Sequence, residues 1–393
     1  MRRLVLALAA VAATIAGAAP AGAACSTANT YTYSFNWGAN ASLSYANSYS
    51  YAASNGLGAT RNFTLSFATD GLVSNVVNNV ALPAVSTTIS GQSGGRTLVV
   101  GGEFSGRTAD VALTTRVIRV VLTFATPVRD IAINVHDIDY ANKQFRDWLM
   151  VQGSDGTSSY TPTLATPFGS NNGAGPRTAT GSTVALGVYN QGGVSLTSSQ
   201  GAGLTASANT GTNAGDINIS FPQPVTTVTL RYGNYPGESQ TGPQAYGIST
   251  ISFCPMPVIQ TAKSSAPWAT TGEGRFNAPG SDVVYTLTVT NNGGSPVDLN
   301  GLVLVDALPS TVRFYNGDFD PSAPGTEPFQ LTAGTSGITL SSSNVGYSNN
   351  NGATYSYTPA AGYDANVNRV RFAPAGTMAA NSSFTVKFRA QIK

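Results

Sequence analysis

Charged side chains make up only 10% of the 393 residues, and the 20 basic and 18 acidic ones nearly cancel. No basic stripe is present to neutralise phosphates, which argues against a nucleic-acid partner. Histidine occurs once, as His136, and cysteine twice, as Cys25 and Cys254. One imidazole and one cysteine pair are too few for the nitrogen and sulfur ligand sets of zinc or redox metals. Glutamate is confined to Glu103, Glu238, Glu273 and Glu327, each isolated in sequence. Nothing therefore nominates the facing carboxylate pair that glycoside hydrolysis requires. Helical periodicity is missing too, and no apolar run beyond the amino terminus is long enough for a membrane-spanning helix.

Ser, Thr, Asn and Gly are abundant instead, set between regularly spaced Val, Ile, Leu, Phe and Tyr. That mixture suits β-sheets with long polar turns rather than a disordered chain. At the amino terminus, Met1-Arg2-Arg3 precedes an apolar run from Leu4 to Ala19 and the small-residue triplet Ala21-Gly22-Ala23. Residues 1–23 read as an export signal, which places the mature chain outside the cell or at its surface. A retained membrane helix is disfavoured because the run is shorter than the ~20 residues a bilayer needs. A lipoprotein signal would put a lipid on Cys25, but Gly22 occupies the position where such signals resemble Leu-x-x-Cys. In an oxidising compartment, Cys25 and Cys254 are expected to form a disulfide that ties together the two ends of one domain. Closing so long a loop corresponds to about 5 kcal/mol in the chain-entropy model.

Export processing would leave about 370 residues, enough for more than one domain. Period-two alternation marks strands at Tyr31–Phe35, Phe63–Phe67, Val117–Phe124, Ile131–Val135, Trp148–Val151, Thr183–Val188, Ile217–Phe221, Val225–Tyr232 and Ile248–Phe253. Pro255-Met256-Pro257 then interrupts any ladder, and the chain to Gly280 is rich in Ser, Ala, Pro and Gly. The expected fold class is all-β: a jelly-roll-like β-sandwich at 24–257, a linker or edge segment at 258–280, and a small Ig-like sandwich at 281–393. Gly169–Gly181 and Gln191–Gly215 are too polar for a core and read as surface loops, where such sandwiches place binding residues.

In the second domain, Val283 to Thr290 alternates in the strand period and runs into Asn291-Asn292-Gly293-Gly294, residues suited to a positive-φ tight turn. Leu302–Val305 is a further strand that stops at Asp306-Ala307-Leu308-Pro309, and Val370–Phe372 and Ser383–Ala390 close the pattern. This arrangement resembles the bacterial Ig-like repeat family catalogued as domain of unknown function eleven. Its Tyr-x-Leu-x-Val-x-Asn motif matches Tyr285 to Asn291, and its Val-x-Asp-x-Leu-Pro motif corresponds to Val305 to Pro309, which reads Val-Asp-Ala-Leu-Pro here. The resemblance covers about a third of the chain. It implies a spacer or adhesive unit of the cell envelope, and no catalytic residue.

Chemistry is concentrated around Ile133-Asn134-Val135-His136-Asp137-Ile138-Asp139 and Asp147-Trp148. A Ser-His-Asp triad would have to use His136, with Asp137 or Asp139 nearby, yet no Gly-x-Ser-x-Gly elbow nominates the serine. The competing reading is a solvent-facing histidine at a strand end. Asp137, Asp139 and Asp147 are candidate oxygen ligands for Ca2+, against a role as turn caps. Tyr232, Tyr235 and Tyr246 are candidate stacking residues for a sugar, against a role as core packing. The expected function is a non-enzymatic structural or adhesive surface protein, with a glycan-binding module, Ca2+-dependent or not, as the alternative. A cell-surface glycan or an envelope protein is the corresponding partner. The pairing of Cys25 with Cys254 makes the first prediction: peptide mass spectrometry without reduction should recover the two segments cross-linked. Free thiols, or a diacylglycerol adduct on Cys25, would refute the bridge.

Overall fold

The computed structural model describes residues 14–15, 31–90, 94–141, 143–165, 172–174, 190–191, 194–203, 213–236, 242–269, 271–322 and 325–393. The expected export segment lies outside these apart from Thr14 and Ile15, as do Cys25 and the expected strand Thr183–Val188. The protein is all-β, a jelly-roll-like sandwich followed by a small Ig-like sandwich. Its two compact units divide between Met256 and Pro257.

The first unit is built on β1 (Tyr33–Phe35), β2 (Ser48–Ser54), β3 (Thr60–Thr69), β4 (Thr97–Phe104), β5 (Ile118–His136), β6 (Phe145–Ser154), β7 (Gln200–Gly203), β8 (Ile217–Ser220), β9 (Val225–Asn234) and β10 (Gln244–Pro255). One sheet runs β2-β3-β5-β9-β6-β7, using the first half of β5. The other runs β8-β5-β10-β4, using its second half. Thus the segments Val117–Phe124 and Ile131–Val135, separate in the alternation pattern, belong to one 19-residue strand. The passage between sheets falls around exposed Pro127, and Asp130 takes a positive φ of 50° just beyond it. β1 pairs with both β10 and β2, so hydrogen bonding passes between the sheets along a second edge as well.

Between the sheets lies a core that includes Phe63, Leu65, Val120, Leu122, Ile133, Val135, Leu149, Leu230, Ile251 and Phe253, all at most 1% exposed. Cys254, at the end of β10, is equally buried, its Sγ 3.7 Å from Thr32 Oγ1. One strand is additional to those marked by alternation, and one expected loop is revised. β4 is a buried strand whose continuous Thr97-Leu98-Val99-Val100 run hides the alternation. The expected loop Gln191–Gly215 contains β7, which is buried along its length and pairs with β6. Its residues Gly201, Ala202 and Gly203 are small enough to pass beneath the chain: a Cβ on Gly203 would stand 1.7 Å from the Asp139 carbonyl oxygen.

The second unit contains β11 (Ile259–Pro267), β12 (Asp282–Asn291), β13 (Leu304–Ala307), β14 (Val312–Asn316), β15 (Phe329–Thr332), β16 (Val345–Ser348), β17 (Gly362–Asp364), β18 (Arg369–Phe372) and β19 (Ser382–Ile392). One sheet runs β11-β12-β19-β14-β17, with β15 also on β19. The facing sheet contains β13, β18 and β16. Much of the expected linker 258–280 is therefore edge strand β11, paired with β12 along its length. Phe314, Phe372, Phe384, Phe388, Leu287 and Val289 fill the space between the sheets. The turn after β12 is held by the buried Asn291 side chain rather than by left-handed glycines. Its Nδ2 donates to the Ser295 carbonyl at 2.9 Å, and its Oδ1 accepts from the Gly293 N–H at 3.0 Å.

An ion pair links the two sheets of this unit. Lys263 of β11 turns inward, its Nζ 2.7 Å from Asp306 Oδ1 on β13 and 4.4 Å from the Tyr285 ring centre. The two side chains are 8% and 1% exposed, and burial raises the Asp306 pKa despite the neighbouring ammonium. Removing one partner strands the other charge in the core, which costs about 3–5 kcal/mol, whereas an apolar pair of similar volume is often neutral. Lys263→Ala should therefore lower stability in chemical denaturation by about that amount. The double change Lys263→Met with Asp306→Leu should recover most of the loss.

Candidate functional site

β5 ends at His136, and Asp137 adopts a positive φ of 67° that breaks the strand and turns the chain towards β6. Asp139 and Asp147 then close a tight backbone exchange. The Asp147 N–H donates to the Asp139 carbonyl at 3.0 Å, and the Asp139 N–H donates to Asp147 Oδ2 at 3.0 Å. Asp147 Oδ1 accepts from the Tyr232 hydroxyl and, at 3.3 Å, from Gln244 Nε2. Asp147 is wholly buried; burial first and the Asp139 charge second push its pKa well above the usual carboxylate range. Burial likewise raises the Tyr232 phenol, and the Asp147 carboxylate raises it further.

This network does not fit Ca2+. Both oxygens of Asp147 already accept hydrogen bonds from within the fold, and Asp139 is only 3% exposed. Among the described residues, no group of three or more His, Cys, Asp or Glu side chains is placed to hold a metal. The expected sugar platforms are also revised, because Tyr232, Tyr235 and Tyr246 are each 0% exposed. Tyr232 lies 4.7 Å from Tyr246, ring centre to ring centre, and Tyr235 packs edge-on to Trp148 at 4.9 Å. The physical reason is that β9 continues to Asn234, and the Tyr235 N–H then bonds the Arg146 carbonyl at 2.8 Å, so the chain stays on the sheet.

His136 is not solvent-facing either. It is 6% exposed, with Nδ1 2.6 Å from Asp216 Oδ1 and Nε2 2.7 Å from Ser249 Oγ. Register explains the grouping. Ile217 pairs with Val135, which sets Asp216, the residue just before β8, beside His136. On the other flank His136 pairs with Gly247 of β10. Between the pairs Val135–Ile248 and Ile133–Ile251 the register shifts, so Asn134 faces both Ser249 and Thr250. Such a bulge re-aims side chains, and Ser249 comes within reach of the imidazole. Asp137 and Asp139 are not the partners. Asp216 and Ser249 were hidden from sequence reasoning, and only strand register reveals them.

A separate feature lies on the same sandwich, an open groove of about 540 Å³ whose walls include Leu43, Ser44, Tyr45, Leu72, Val73 and Asn75. The Tyr45 hydroxyl donates to the Gly101 carbonyl at 2.7 Å and accepts from the Gly101 N–H at 2.9 Å, which fixes that wall.

No protein-family model matches the chain, and no curated protein matches it. Among solved structures, recombinant discoidin II of Dictyostelium discoideum is 10% identical over 84% of this chain and 96% of that one, with a TM-score of 0.24. Wild-type discoidin II from the same organism gives 11% identity, 84% and 94% coverage and a TM-score of 0.23. A putative membrane anchored protein from Corynebacterium diphtheriae gives 9%, 88% and 89%, with a TM-score of 0.09.

Asp137 yields a prediction about pH. Burial, then the charges of Asp139 and Asp216, raise its pKa to about 8, whereas an unfolded aspartate titrates near pH ~4. In that window the folded state holds a proton that the unfolded state has released, so this group's contribution to stability falls as pH rises from about 4 to about 8. Asp137→Asn, which tolerates the left-handed backbone, should gain stability relative to the parent across that window. Urea melts at pH 5 and at pH 8 measure the difference, and an equal offset at both would refute the shifted carboxyl.

Proposed function

We propose that this chain is a secreted or cell-surface adhesive protein whose first sandwich binds a neutral glycan while its second, Ig-like sandwich serves as a spacer. The observation that carries the reading is the groove beside Tyr45, which has no charged residue in its lining. Leu43, Tyr45, Leu72 and Val73 supply apolar surface, and Ser44, Ser74 and Asn75 supply hydroxyl and amide groups. A sugar presents the same combination, apolar ring faces edged by hydroxyls, and asks for no ion pair in return. The low charge of the whole chain fits such a ligand. The spacer role rests on the resemblance of Tyr285–Asn291 and Val305–Pro309 to the Ig-like repeat family.

Screening the protein on a glycan array, with and without chelator, tests this directly. Binding to neutral glycans that survives chelation is expected, because both Asp147 oxygens already accept hydrogen bonds within the fold. Val73 is 63% exposed, so Val73→Asp should leave the melting temperature unchanged while weakening binding about tenfold or more, the scale of one misplaced charge. If the folded parent binds no glycan, or the variant binds as well as the parent, the groove is not the site.

A further inference from the structure

We infer that Ser249 is an activated nucleophile, with His136 as its base and Asp216 as the residue that positions the imidazole. Ser249 then accepts an acyl or phosphonyl group from an ester or its electrophilic analogue. This activity is independent of the groove and of glycan binding.

The geometry defines the roles. An ionised Asp216 carboxylate can only accept a hydrogen bond, so the contact at 2.6 Å places the imidazole proton on Nδ1. Nε2 is left with its lone pair directed at Ser249 Oγ, 2.7 Å away, and takes the hydroxyl proton. That tautomer is the one a serine nucleophile requires of its base. The other acceptor near the hydroxyl, the Asn134 carbonyl oxygen, is at 3.4 Å and competes poorly. Asp216 and His136 are 5% and 6% exposed, which shields their hydrogen bond from water, while Ser249 is only half-buried. The bulge at Ser249 and Thr250 breaks the regular alternation of β10 at this point.

The reaction balances without a further reagent. Ser249 Oγ bonds to the ester carbonyl carbon as its proton moves to His136 Nε2. The carbon–oxygen bond to the alcohol then breaks, and the departing alkoxide takes that proton. In the second half, water attacks the acyl-serine, His136 accepts the water's proton and returns it to Ser249 Oγ, and the acid leaves. The sum is ester plus water giving acid plus alcohol.

The test treats the intact protein with an alkyl fluorophosphonate, which phosphonylates an activated serine with loss of fluoride. Peptide mass spectrometry should find the adduct on Ser249 in the parent and no adduct in Ser249→Ala. Both His136→Gln and the near-isosteric Asp216→Asn should label about 100-fold more slowly or less, the contribution typical of a positioned base. Asp216→Asn retains the packing but presents an amide that favours the wrong imidazole tautomer, so slower labelling with unchanged melting separates positioning from a structural role. Absence of an adduct in the folded parent overturns the proposal. So does labelling of Asp216→Asn at the parent's rate, and so does modification spread over other serines.

Discussion

The first sandwich depends on a single strand being continuous enough to serve two sheets. β5 gives its first half to one ladder and its second half to the other, so the sheets cannot slide independently. Its inward residues, Val120, Leu122, Ile133 and Val135, place the core on both sides of the bend. A one-residue slip anywhere along it would turn those side chains towards solvent. The same continuity fixes where the strand must end, and that end is His136. Everything chemically distinctive in this unit, from Asp216 and Ser249 to the Asp139–Asp147 exchange, is arranged around it.

Burial decides what the polar side chains near that end do. Asp147, Tyr232 and Gln244 are buried and joined by hydrogen bonds, and Gln244 also donates to the Gly233 carbonyl. Withdrawn from water, the Asp147 carboxyl is held by the Asp139 N–H, the Tyr232 hydroxyl and the Gln244 amide, which spends the lone pairs that a cation would use. His136 and Asp216 are also buried, but their chain of hydrogen bonds leads to Ser249, which is only half-buried. The two clusters therefore differ in kind. One lies wholly in the interior, and the other ends at a half-buried serine.

Sequence was informative where physics is local. Alternation from Val283 to Thr290 and from Ile217 to Phe221 marks true strands, because a half-buried ladder imposes that period. It was uninformative at Thr97–Val100, where both faces are covered and alternation disappears. It misled at Gln200–Gly203, where small polar-seeming residues are buried for their lack of bulk. The site was half legible. A lone histidine beside three aspartates draws attention at once, but its partners lie 80 and 113 residues further along, joined to it by register, which no spacing rule encodes. Adjacent aspartates, by contrast, were near in sequence and unavailable in space.

The edge strand of the second unit has a mechanical consequence. Ile259, where β11 begins, pairs with Asn291 at one end of β12, whereas Gln391, near the close of β19, pairs with Asp282 at the other. β11 and β19 flank β12 on opposite sides and point the same way. Tension applied through Ile259 and Ile392 would therefore draw the two outer strands apart along the strand axis, across hydrogen bonds that stand perpendicular to it. All the ladder bonds share such a load and must fail together, instead of peeling one at a time. The module is wired to bear pull.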